Sequence, residues 1–193
     1  MIEYDDNVNL FDKIMKLNDS NVNINCDETP LQLEEIKKLS IIFDNIFKNN
    51  ETNNFLNKIE FNYNFKEECS VGFIEYKRTL SSYGIGSDKN NKKNNKTNKT
   101  NKLIRQIYWR IYEGLLHENI NFCYYIIGLE DSGIPSNITQ DELEISLEII
   151  SNSIKNINLN FTYLYLYNSN LDYNFIIVKF SLDDIEQNLM DYF

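Results

Sequence analysis

The stretch FCYYIIGLEDSGIP, residues 122–135, ends an apolar run in Glu130, Asp131 and Gly133. Carboxylates delivered into a loop by a buried strand are raw material for a Mg²⁺ or nucleotide site. The same residues also make an ordinary turn, with Asp131 accepting local backbone hydrogen bonds beside a glycine. Adjacent residues of an extended chain point in opposite directions. The two acids therefore share a metal only if the turn bends them together, and a structural turn is the expected reading. A second charged cluster, Glu75, Lys77 and Arg78, lies in GFIEYKRTL, residues 72–80. Alternation there puts Ile74, Tyr76 and Leu80 on one face and Glu75, Lys77 and Thr79 on the other, a half-buried strand with Glu75 and Lys77 side by side on its solvated face. His117 is the only histidine and follows a helix end, where the dipole favours a cation. Cys26, Cys69 and Cys123 are far apart and form no CxxC pair, so neither a zinc site nor a disulfide framework is indicated. No catalytic, cofactor-binding or metal-ligating residue is expected.

The elements that hold these residues follow from periodicity. TPLQLEEIKKLSIIFDNIF opens with Thr29 as N-cap, Pro30 at the first helical position and Gln32 at N3. Leu33, Ile36, Leu39, Ile42, Phe43 and Ile46 then form one apolar face. A weaker helix is expected over Leu10 to Leu17. Ile104, Ile107, Tyr108, Ile111 and Leu115 predict a helix over 103–116, with Trp109 and Tyr112 off its apolar stripe, either core or an exposed docking surface. Residues 122–129 are apolar on both faces, as in a central strand. Thr139 and Glu142 form a second capping box, ahead of Leu143, Leu147, Ile150, Ile154 and Ile157. The runs 160–167 and 173–180 read as a hairpin.

The expected fold is therefore α+β. It is a two-layer domain over 60–182 with a four-stranded mixed sheet, in the order strand-helix-strand-helix-strand-strand. A helical extension over 1–59 precedes it, and 183–193 form a C-terminal segment. A Lys/Asn-rich insertion at 81–102 interrupts the domain. Within it, residues 87–102 hold six lysines, six asparagines and nothing apolar, so disorder is expected.

The 193 residues carry a net charge of −10. Phosphate-binding proteins usually show a basic patch, and the only lysine-rich stretch is this low-complexity insertion. The N-terminus has no apolar signal core and no run of about 18 apolar residues occurs. A reducing, cytoplasmic setting without membrane contact is expected.

Two stretches, residues 72–80 and 105–150, together carry a family resemblance. They hold Gly72, Ile74, Glu75, Tyr76 and Lys77; then Trp109, Arg110, Glu113 and Gly114; then Tyr125, Ile127, Gly128, Leu129, Glu130, Asp131 and Gly133. In order and spacing, apart from the insertion, they resemble the N-terminal domain of the GTP-binding protein 1 and 2 family. These are translational GTPases similar to elongation factor 1-alpha. The resemblance spans roughly residues 70–182. It implies a parent protein that binds GTP with Mg²⁺ and meets tRNA or the ribosome, with this module packed on a downstream G domain. The departure is that none of the six glycines stands in Gly-(x)4-Gly-Lys-Ser/Thr; YGIGSDKN, residues 83–90, comes nearest, with the wrong spacing. The G domain is absent from this chain, and 183–193 are expected to lead toward it. A looser similarity to AlbA-type and Schlafen-type nucleic-acid-processing domains implies a metal held by sheet acids, to which Glu75, Glu130 and Asp131 would have to converge. A stand-alone protein-interaction domain is the third reading.

Overall fold

A computed structural model describes residues 30–70, 72–80, 92–155, 157 and 159–182. The Thr29 cap, the helix expected over Leu10 to Leu17, residues 81–91 and residues 183–193 lie outside the described residues. Helix α1 (Pro30–Asn49) leads through a 3-10 turn (Phe55–Asn57) into β1 (Ile59–Glu60). Then follow β2 (Ile74–Lys77), α2 (Lys92–Glu118), β3 (Phe122–Ile127), α3 (Gln140–Ile154), β4 (Leu159–Asn168) and β5 (Tyr173–Leu182). The mixed sheet runs β1-β4-β5-β3-β2. Strands β2 and β3 pair in parallel, as do β1 and β4, while β5 is antiparallel to both its neighbours. A parallel β2–β3 pair needs a long crossover, and α2 supplies it.

The expected order of strands and helices from residue 73 onward is present, but the sheet has five strands rather than four. The fifth, β1, contributes two residues, Ile59 opposite Leu166 and Glu60 opposite Tyr167. Two residues carry no periodicity, and the partner lies more than a hundred positions away, so sequence pattern alone does not reveal the strand. The middle strand is β5, although β3 is also paired on both sides.

The architecture also has three layers rather than two. Successive strand residues face opposite sides. Tyr124 packs on α1, with its ring centroid 5.2 Å from Phe43 and its hydroxyl donating to Asp44 Oδ1 at 2.7 Å. Its neighbour Cys123 lies against α2, with Sγ 3.7 Å from the Ile107 carbonyl oxygen. Helix α3 lies beside α2, and its Ser146 Oγ accepts from the Leu80 N–H at 3.0 Å. The N-terminal helix is thus a layer of the domain, covering one face together with Phe61, Tyr63 and Phe65. Its buried residues Ile36, Leu39 and Phe43 belong to the stripe seen in the sequence.

The disorder expected through residue 102 is corrected as well: α2 begins at Lys92. Leu103, Ile107 and Ile111 are buried and anchor the helix. Extending an established helix avoids the costly nucleation step, so polar Asn, Lys and Thr turns can be added to its N-terminal end. The capping box at Thr139 and Glu142 forms as expected. The hairpin closes at Asn168–Tyr173, where Asn168 Oδ1 accepts from the Asn170 and Leu171 amides.

Candidate functional site: a buried arginine clamp

Arg110 on α2 is 5% exposed. Its Nε donates to Glu75 Oε2 at 2.5 Å, and one terminal nitrogen donates to Glu68 Oε1 at 2.5 Å. The other donates to the carbonyl oxygens of Ser70 and Gly72 at 3.1 Å and of Cys69 at 3.4 Å. The planar fork of a guanidinium matches this set of acceptors; an ammonium would not. One turn further along α2, Glu113 Oε2 accepts from the Gly72 N–H at 3.3 Å. Residues 68–70 and Gly72 are therefore held on the C-terminal half of α2 through both carbonyls and an amide.

Glu75 is 6% exposed, which overturns its expected place on a solvated strand face. Both faces of β2 are covered, and α2 brings a cation to meet the acid. The expected neighbour is in place: Lys77 donates to Glu75 from the same face. Tyr76, on the opposite face, packs edge-on against Phe65 and donates its N–H to Glu68 Oε2 at 3.0 Å. Thr79, expected beside Glu75 on the solvated face, is half-buried. Its hydroxyl lies 3.3 Å from Ser146 Oγ. Trp109 and Tyr112 are both half-buried, with ring centroids 6.0 Å apart. Gly114 lies close against Ile120. The side chain of His117 lies outside the described residues.

Glu130 to Gly133 form a tight turn, in which the Gly133 N–H donates to the Glu130 carbonyl at 2.8 Å. Asp131 is exposed, and its carbonyl accepts from the Glu68 N–H at 2.6 Å. Glu130 faces Arg78 at 3.7 Å, an exposed pair. Gly128 ends β3 close to the Asn174 carbonyl. Glu75 and Glu130 thus serve different cations. Among the described residues no group of three His, Cys, Asp or Glu is placed to hold a metal ion.

All three motifs converge on residues 65–70, a segment that no motif singled out. The residues missed by sequence reasoning are Glu68, Cys69 and Ser70. Their only signal is the acid pair in KEEC ahead of the strand, and nothing local says that its second acid turns inward. A cleft of about 110 Å³ borders the segment, lined by Glu35, Ile36, Lys66, Glu68 and Tyr76 among others. Glu35 is occupied there, accepting from Tyr63 and from Lys66.

Two carboxylates share one guanidinium, and burial sorts them. Burial raises the Glu68 carboxyl to about 7, and the Glu75 charge adds to that rise. Burial opposes ionisation of Glu75 too, but Arg110 and Lys77 outweigh it and hold Glu75 below the usual carboxylate range. Burial likewise works against the Arg110 charge, and the two carboxylates more than offset it. A glutamate that ionises at higher pH when folded binds an extra proton in the folded state. Its linkage term therefore lowers stability as pH rises from the unfolded value, about 4.3, through about 7. Glu75 has the opposite sign, and its contribution is lost only below that window. Glu68→Gln should flatten the fall between pH 5 and 8, on the order of 2 kcal/mol, in urea titrations at each pH. Parallel wild-type and mutant profiles would contradict this assignment.

No protein-family model matches the chain, and no characterised protein matches it at a significant level.

Proposed function

We propose that this chain is a non-catalytic N-terminal module of an elongation-factor-like translational GTPase, with GTP and Mg²⁺ bound and GTP hydrolysed in a downstream domain. One observation carries the reading. Of the residues on which the resemblance rests, Gly72, Glu75, Arg110, Glu113 and Gly133 close around one segment. A signature that specifies packing belongs to a scaffold, and the buried acids here are already occupied by cations and amides. On this reading the module works in the cytoplasm, packs on the G domain and reaches tRNA or the ribosome only through the parent protein. Among the described residues no helix is long and apolar enough to cross a membrane.

GTP recognition in such enzymes rests on backbone amides of a Gly-rich loop, a lysine on the phosphates and a hydroxyl on Mg²⁺. No Gly-Lys-Ser or Gly-Lys-Thr occurs, and a net charge of −10 repels a triphosphate. A labelled GTP analogue titrated with Mg²⁺ into residues 1–193, at about 0.15 M salt, should show no saturable binding in the micromolar range. Guanine-selective binding would overturn the non-catalytic assignment. Sequencing the transcript past the Phe193 codon tests the parentage, because a frame that closes without Gly-(x)4-Gly-Lys-Ser/Thr removes the downstream domain.

A further inference from the structure

Strand β4 is paired with β5 along its whole length, from Leu159 opposite Leu182 to Asn168 opposite Tyr173, with no bulge. Its other side is covered only in part. Strand β1 takes Leu166 and Tyr167, and the Phe61 N–H donates to the Tyr167 carbonyl. One rung earlier, the Asn53 side-chain amide imitates a strand: its Oδ1 accepts from the Tyr165 N–H at 2.6 Å, and its Nδ2 donates to the Tyr165 carbonyl at 3.0 Å. Backbone groups of alternate residues point the same way, so Phe161 and Tyr163 present their N–H and C=O on this same side. Among the described residues nothing takes them. The Leu159 N–H is already used, donating to Ile157.

Natural edge strands are usually blunted by charge, proline or a bulge. Leu159 to Leu164 read LNFTYL, with no charge and no proline, in a chain of net charge −10. An uncharged strip adds no like-charge repulsion of its own against a second copy. The sheet's opposite edge differs, since the Tyr76 N–H of β2 is taken by Glu68. Antiparallel pairing of two identical edges is also self-complementary about a two-fold axis.

We propose that two copies of this chain associate through β4, joining their sheets across Phe161–Tyr163. The free rungs allow one register. Phe161 pairs with Tyr163 of the second copy and Tyr163 with its Phe161, which centres the two-fold axis on Thr162. Shifting one way runs into Asn53, and shifting the other runs into the spent Leu159 amide. Phe161 and Tyr163 stack at 6.1 Å within the chain, and this aromatic row continues across the axis. Thr162, exposed on the opposite face, meets its own copy as a directly opposed, non-hydrogen-bonded pair. The patch is small, so the association is weak, with a dissociation constant on the order of 0.1 mM.

Sedimentation equilibrium of the full chain from about 5 µM to about 1 mM tests this, and should show a monomer passing to a dimer. Thr162→Lys places two like charges across the axis and should weaken the dimer at least about tenfold, with an unchanged thermal midpoint. At the axis the two Cα atoms lie about 4.5 Å apart, within disulfide range. Oxidised Thr162→Cys should therefore yield a cross-linked dimer, while Asn160→Cys should not. A monomer at every concentration would overturn the proposal, as would a dimer indifferent to Thr162→Lys. So would a dimer that appears only once residues 1–29 or 183–193 are deleted, because a segment of the chain itself would then be the occupant.

Discussion

Arg110→Ala should remove about 3–5 kcal/mol of stability. The loss does not measure the worth of one ion pair. Truncation strands Glu68 and Glu75 beneath α2 without their shared cation and removes the guanidinium donor from the Ser70 and Gly72 carbonyls. A buried charge left unpaired costs far more than an exposed pair contributes. Arg78→Ala is the matched control, since the Arg78–Glu130 pair is exposed and longer, at 3.7 Å; it should cost no more than about 0.5 kcal/mol. Arg110→Lys keeps the charge but cannot span two carboxylates and three carbonyls at once, so it should recover only part of the loss. Urea unfolding of the three variants decides the matter. If Arg110→Ala and Arg78→Ala unfold at the same denaturant concentration, the clamp is not what holds residues 68–70 and Gly72. Should Arg110→Ala fail to fold, the partial deficit of Arg110→Lys still measures the effect.

Gly133→Ala should be nearly as damaging, at about 3 kcal/mol or more. Gly133 has φ of +78°, in the left-handed region that side chains avoid. An added Cβ would sit 2.3 Å from the Lys66 carbonyl oxygen and 2.7 Å from that of Phe65. Both obstacles are backbone, so neither can rotate aside. The turn and the 65–68 segment would have to separate, breaking the hydrogen bond from the Glu68 N–H to the Asp131 carbonyl. Asp131→Ala is the counter-test: Asp131 is exposed and contributes its carbonyl there, so the substitution should cost little. A thermal midpoint for Gly133→Ala within a degree or two of wild type would show that the turn tolerates separation. Equal losses for both variants would mean that the carboxylate, and not the close backbone approach, makes the turn matter.

Helix faces, the Thr139–Glu142 cap and the hairpin were legible in the amino-acid sequence itself. Each depends on residues within a few positions of one another, where a period of two or 3.6 or a single side-chain hydrogen bond settles the outcome. Of the clamp residues, the charge pattern of the strand marks Glu75, while Gly72, Arg110 and Glu113 are marked only through the family resemblance. Their roles were not legible. Alternation in β2 pointed Glu75 toward water, and only the arrival of α2 with Arg110, thirty-five residues later, made that face an interior. Whether α1 formed a separate extension or a third layer was equally undecided, because an apolar stripe says that a helix must pack without saying on what. Strand β1 and the imitation of a strand by Asn53 exist only as partners of β4, more than a hundred residues away. Local physics sets the shape of each element; burial of a polar group and pairing at a sheet edge are settled by what the rest of the chain brings alongside.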